Sequence, residues 1–201
     1  MSFSAMITAK KICESFEMPF KAGNSGQLIF GYNTGQCEHF GVGFHLVPTM
    51  AGFWISKWVD LNLIKEIFVC NSVMEVVAFL HFNAHRYNRH DELLFLAIAP
   101  MYNYPVGLFC QKHNLRLNLL FGTELIDVLR AIKFCLDFKG IGVCFYHDGE
   151  MVTAIVAGRI FSIHQKGISL RKFFTLLGIR PFFRQHVPKS KISFLHDFLN
   201  Q

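Results

Sequence analysis

Three short, predominantly apolar runs, residues 64–70, 93–99 and 115–121, constrain the fold of this 201-residue chain more than anything else in it. A strand with one face in water alternates apolar and polar residues, whereas a run that is apolar almost throughout suits a strand covered on both faces. The stretches 73–82, 106–113 and 124–138 have helical length and spacing. Strand–helix–strand order of this kind predicts a small, mainly parallel α/β sheet with right-handed crossovers and helices on its faces.

The flanks read differently. Residues 7–18 place Ile7, Ile12 and Phe16 at near-helical spacing and predict a short helix. Residues 25–58 form a β-rich, glycine-punctuated stretch, with strands expected at 27–32, 40–47 and 52–55. Beyond the α/β core at 60–140, the runs 141–146 and 151–157 flank Asp148-Gly149, a hairpin signal, and 159–164 extends it into a meander. Helices are expected again at 170–177 and 192–199, separated by a loop over 181–188. No internal repeat or linker interrupts the chain, so 1–201 reads as one domain.

With 52% hydrophobic and 17% charged residues the chain is not a disordered one. No apolar run reaches the roughly 18 residues needed to span a bilayer. Lys10, Lys11 and Glu14 fall where a secretory signal would need its apolar stretch. A cytoplasmic protein with no membrane partner is therefore expected. The six cysteines contain no C-x-x-C pair and four lie inside apolar runs, which reads as reduced thiols rather than a disulfide frame.

Ligands of open α/β sheets gather outside the carboxyl ends of the parallel strands, which points to the turns at Cys70-Asn71-Ser72 and Phe121-Gly122-Thr123-Glu124. The first turn and its helix, Val69-Cys70-Asn71-Ser72-Val73-Met74-Glu75-Val76-Val77, resemble the pattern V-F-E-G-x-x-D-x-L of Toprim domains, especially those of primase-related and mobile-element proteins. Phe121-Gly122-Thr123-Glu124 occupies the place of that family's Asp-x-Asp pair, and Phe194-Leu195-His196-Asp197-Phe198-Leu199-Asn200 is similar to its terminal K-D-x-N-like segment. The resemblance covers roughly residues 40–135 and the extreme C-terminus, and implies a Toprim-like, Rossmann-like sheet working on DNA or RNA. It also implies a glutamate for acid/base work and aspartates holding Mg²⁺ for phosphoryl transfer, since hard cations take carboxylate oxygens.

The matching positions here are Asn71, Gly122 and Glu124, with Glu75 in the helix. An amide exchanges no proton near neutral pH and glycine offers no side-chain ligand. The expectation is a Toprim-like fold with a degenerate site, no assigned catalytic residue and no cofactor. Mg²⁺ shared by Glu75 and Glu124 with backbone carbonyls stays open, as does a phosphotransfer enzyme with relocated carboxylates drawn from Glu75, Glu124, Asp127 or Asp91. His81 and His85, four apart, could share a face of a continuing helix as metal ligands do, but a solvated helix end running into a loop explains the same residues and no metal is expected. The sequence contains no G-x-x-x-x-G-K-[ST] and no G-x-S-x-G, and the G-x-G at Gly41-Val42-Gly43 lies in an alternating β pattern without a third glycine or a following helix.

The formal charge of +6 resides in residues 150–201, which carry eight basic and two acidic side chains. Arg159, Lys166, Arg171, Lys172, Arg180, Arg184, Lys189 and Lys191 are interleaved with Phe173, Phe174, Phe182 and Phe183. That mixture suits phosphate neutralisation with base stacking, or an amphipathic cap whose rings face the core and whose cations face water. Nucleic acid is one expected partner; a protein partner or a second copy of the chain, docked on the phenylalanine-rich tail, is the alternative.

Overall fold

The structure, a computed structural model, describes residues 3–57, 61–100 and 115–201. Its centre is a five-stranded sheet in the order β12-β8-β6-β7-β5. The middle strands are β6 (Glu66–Cys70), β7 (Leu93–Ile98) and β8 (Arg116–Leu119), and β6 pairs in parallel with both β7 and β8. Their side chains are buried at almost every position, as expected of strands covered on both faces.

Side chains alternate across these strands, and each set meets a different layer. Phe68, Cys70, Phe95 and Ala97 pack against helix α1 (Phe3–Ser15), helix α2 (Val73–Asn83), the C-terminal helix α5 (Phe194–Leu199) and the N-terminal sheet. Ile67, Val69, Leu94, Leu96, Leu117 and Leu119 pack on the opposite face. That face is covered by helix α3 (Leu125–Phe138), helix α4 (Leu170–Leu176) and the meander. The molecule is thus a mixed α/β protein with layers on both faces of a largely parallel sheet. Among the described residues no helix is long and apolar enough to cross a membrane.

The N-terminal sheet is antiparallel, in the order β1 (Lys21–Ala22), β2 (Leu28–Gly31), β3 (Cys37–Gly41), β4 (Phe44–Leu46). The single strand expected over 40–47 is instead a hairpin: Gly41 pairs with Phe44 and the chain reverses through Val42-Gly43, where Gly43 takes φ +86°. The strand expected over 52–55, β5 (Phe53–Ile55), leaves the N-terminal sheet and pairs antiparallel to β7 at the edge of the central one. The meander follows the expected order, β9 (Val143–Asp148), β10 (Met151–Val156) and β11 (Arg159–His164).

The largest departure lies in the loop expected over 181–188. Phe183–Gln185 forms strand β12 and pairs in parallel with β8, completing the sheet at its other edge. The helix expected over 106–113 lies outside the described residues.

Candidate functional site

From β6 the chain passes through α2 to β7 on one side; from β8 it passes through α3, the meander and α4 to β12 on the other. The two paths diverge between β6 and β8, and the crevice outside their carboxyl ends is where an open α/β sheet takes its ligand. Two of the sequence-derived positions, Asn71 and Gly122, lie there against the same side chain, Asp127. Asn71, immediately after β6, donates its side-chain N–H to Asp127 Oδ1 in the first turn of α3, while Asn71 Oδ1 is buried without a partner among the described residues.

The chain itself fills this crevice. The segment after β12 folds back across it, and the Lys191 carbonyl accepts from both the backbone N–H and the hydroxyl of Thr123. Gly122 lies directly beneath: a Cβ there would fall 2.5 Å from Asp127 Oδ2 and closer still to the Ile192 carbonyl oxygen. An aspartate at 122 has no room while residues 191–193 cross above it. Glycine is required here by close approach of backbone, not by a positive φ.

The starts of α2 and α5, beside the crevice, are also occupied. The start of α2, whose free N–H groups and dipole would suit a phosphate, is capped by Ser72, whose hydroxyl accepts from Glu75 N–H. It also holds the carboxylate of Glu38, reached from β3 of the other sheet. Glu38 is fully buried; Oε2 accepts from Val73 N–H (2.7 Å) and the Tyr32 hydroxyl (2.9 Å), and Oε1 from Met74 N–H (3.0 Å). His45 Nε2 lies 2.9 Å from Oε1. Burial and the Glu38 carboxylate push the Tyr32 phenol well above its usual range, so it remains a donor.

Glu75 does the same for α5. Its Oε2 accepts from Phe194 N–H (2.9 Å) and Leu195 N–H (3.3 Å). Burial nevertheless raises its pKa to about 7, because the Ser193 hydroxyl and the two amide bonds only partly offset desolvation. Burial also raises Asp127, against the opposing bond from Asn71.

The carboxylates therefore do not converge as a shared set. Glu124 is exposed at the start of α3 and makes no capping bond, whereas Glu75 is buried under α5. Asp91 lies on the turn that leads into β7, at the amino end of the strands and away from the crevice. Among the described residues no three His, Cys, Asp or Glu side chains are grouped to hold a metal ion. The continuing helix that would pair His81 with His85 stops at Asn83; His85 falls on a 3₁₀ turn, and His81 Nε2 lies 3.0 Å from Gln201 Oε1.

In the C-terminal quarter the structure separates rings from cations. Phe173 and Phe174 are fully buried, and Phe182 and Phe183 are half-buried in one aromatic cluster with Phe174 and Phe138. The rings are thereby committed to the core instead of standing free for stacking. All eight cations are exposed, and none forms an ion pair among the described residues. Arg159 lies on β11, Arg171 and Lys172 in α4, Arg184 on β12, and Lys189 and Lys191 in the segment across the crevice.

One further cation belongs with them and was not apparent from the sequence. Arg86, just past α2, lines a 340 Å³ cavity with Phe82, Asn83, Val187 and Lys189, and the field of Arg184 and Arg86 reaches the same imidazole, His186. Asp197, also in that wall, is engaged by the Lys189 and Ser190 backbone N–H groups. Burial first, then those two arginines, lowers His186 to about 4, so its ring is neutral near pH 7; Nε2 lies 3.0 Å from Asn118 Oδ1.

These features define an α/β protein with a crevice at the divergence of its parallel strands, crossed by its own C-terminal segment, and with eight exposed C-terminal cations that form no ion pair among the described residues. No family model, curated protein or solved structure matches the chain.

Proposed function

We propose that this protein is a nucleic-acid-associated Toprim-like module that binds phosphate backbone through its C-terminal surface and lacks metal-dependent catalysis at the crevice. The observation that carries the reading is the set of eight exposed cations without carboxylate partners among the described residues. Unpaired cations neutralise phosphates and release counterions without first breaking internal ion pairs. With the phenylalanines packed inward, binding rests on charge, and little discrimination between base sequences is expected.

Two observations support a non-catalytic crevice. Asn71 stands where the resemblance puts the acid/base glutamate, and it is tied to Asp127. Gly122 stands where a metal-binding carboxylate would lie, and the backbone of Ile192 fills the space such a side chain would need. Titrating labelled single- and double-stranded DNA and RNA at several salt concentrations, with and without Mg²⁺, tests the reading. Binding that weakens steeply with salt and ignores Mg²⁺ supports it. Mg²⁺-dependent binding or cleavage of the strand would return catalysis to the crevice.

A protein-interaction role is the second reading, favoured by the exposed edge strand β4 and its turn, where Val42, Phe44, Leu46 and nearby Met50 are in water. An unpaired strand edge with apolar side chains is a ready template for a further strand. A concentration-dependent oligomer abolished by Leu46→Lys would support that role.

A further inference from the structure

Beyond the end of α2, two cations distant in sequence, Arg86 and Lys189, line one concave space of about 340 Å³ together with Phe82, Asn83, Val187 and Phe194. Lys189 Nζ stands over the Phe82 ring, 5.8 Å from its centroid, so its charge lies beside that wall. A third cation, Arg184 on β12, belongs to the same neighbourhood, because its field and that of Arg86 both act on His186 and on Tyr87.

These charges have no internal counter-ion. None of the three forms an ion pair among the described residues. Asp197 is the one acidic side chain in the wall, and its two oxygens accept from the backbone N–H groups of Lys189 and Ser190. It therefore fixes the loop that carries Lys189 without pairing with the ammonium. Asn83 donates its side-chain N–H to the Phe79 carbonyl, so one of the free carbonyls at the end of α2 is already paired.

Shape sets this place apart from the rest of the basic surface. An open patch of cations accepts any phosphate along a strand, whereas a cavity of this size admits one phosphate with the sugar attached to it. A terminal phosphate is a monoester carrying about −1.5 to −2 charges at pH 7, against a single charge for a diester within the strand. Two cations on one space favour the monoester, and Phe82 and Val187 give its sugar or base an apolar side.

We propose that this cavity binds a phosphate monoester, the terminal phosphate of a nucleic-acid strand, between Arg86 and Lys189, with Arg184 adding to the field. The strand rests on the nucleic-acid reading above; the phosphate chemistry does not.

The test uses one short, labelled single-stranded DNA in three forms, with a 5′-phosphate, with a 3′-phosphate and with hydroxyls at both ends. The parent is expected to bind one phosphorylated form at least about fivefold more tightly than the hydroxyl form. Arg86→Gln and Lys189→Gln, both at exposed positions, should each reduce that preference below about twofold. Arg171→Gln, in α4 on the other face of the sheet, should weaken all three forms alike. A companion titration with adenosine 5′-monophosphate, against adenosine, follows the ¹⁵N side-chain signal that is missing in Arg86→Gln. A saturable shift is expected with the nucleotide alone, at about 0.1–1 mM. Equal affinity for phosphorylated and hydroxyl ends, or a preference that survives both substitutions, would overturn the strand-end assignment. If no strand binds while the nucleotide shifts the Arg86 signal, the nucleic-acid reading falls and the phosphate site stands. No shift with the nucleotide would overturn the site itself.

Discussion

Replacing Glu38 by glutamine changes one atom and tests whether the crossing of the two sheets is held by an acceptor at the start of α2. The carboxylate has two oxygens and four partners: Val73 N–H and the Tyr32 hydroxyl on one, Met74 N–H and His45 on the other. Glutamine keeps one acceptor and turns the other into a donor. Whichever way the amide is placed, it opposes one backbone N–H that cannot accept. Tyr32 or His45 can turn to accept, but Val73 or Met74 cannot. A hydrogen bond to a charged group contributes about 1.5–3 kcal/mol, and a buried unsatisfied N–H costs about 1–3 kcal/mol. The negative charge at the helix start contributes up to roughly 1 kcal/mol more. Allowing for relaxation, Glu38→Gln is expected to destabilise the protein by roughly 3 kcal/mol, or about 6–12 °C in Tm for a chain of this length. Tyr32→Phe, which removes one neutral donor and leaves the carboxylate three partners, should cost only about 1 kcal/mol. Urea unfolding of both variants and the parent at pH 7.5 reads the difference. A loss under about 1 kcal/mol for Glu38→Gln would refute the helix-start role of Glu38.

Other consequences follow from the same geometry. Glu75 has a folded pKa raised to about 7, so the native state holds a proton that the unfolded chain releases from its ordinary value of 4.5 upward. Its contribution is complete below 4.5 and is lost as pH rises to 7, by up to roughly 3 kcal/mol. His186 runs the other way: with a folded pKa of about 4 against 6.5, it contributes stability above 6.5 that is lost as pH falls toward 4. Glu75→Gln, which keeps an acceptor for Phe194 and Leu195, should therefore leave stability rising with pH between 4.5 and 6.5; a profile unchanged from the parent would count against the buried carboxyl. Gly122→Ala must push the crossing segment aside and should cost about 1–3 kcal/mol, with faster hydrogen exchange at residues 191–195; equal exchange would show that the crevice is open. Ala157 sits at φ +48° in the β10–β11 turn beside Gly158 at +78°, and Ala157→Asn should stabilise by about 0.5–1 kcal/mol in thermal melts, an unchanged Tm counting against strain there.

The three central strands were legible because burial on both faces leaves few polar positions to interrupt the run, none at all in Leu93–Ile98, and because Ser72, the cap of α2, follows the first of them. Strand β12 was not, since Phe183-Arg184-Gln185 is three residues long, has one neighbour and lies between Pro181 and Pro188. Its parallel pairing depends on β8, about 65 residues earlier, which no local pattern encodes. Asn71 and Gly122 were found together because both follow parallel strands, whose carboxyl ends must lie at one edge. Glu38 escaped notice although it shares the inward face of β3 with Phe40. A lone glutamate at an inward position of an alternating strand was the available signal. The fate of the phenylalanines was equally hidden: interleaving with cations along the chain does not say which face of α4 or β12 each side chain takes.

The most direct measurement compares the parent with a variant in which Arg171, Lys172, Arg180 and Arg184 are all replaced by glutamine, by fluorescence anisotropy of labelled DNA and RNA from 50 to 300 mM salt. All four side chains are exposed and unpaired among the described residues, so the variant is expected to fold normally, which far-UV circular dichroism checks. The parent should bind with a log–log salt slope of about −4 to −6, and the variant should lose roughly 2–4 of those units together with most of its affinity. A folded variant that binds as tightly as the parent, or a parent that fails to bind at the lowest salt, would contradict a nucleic-acid role for this surface.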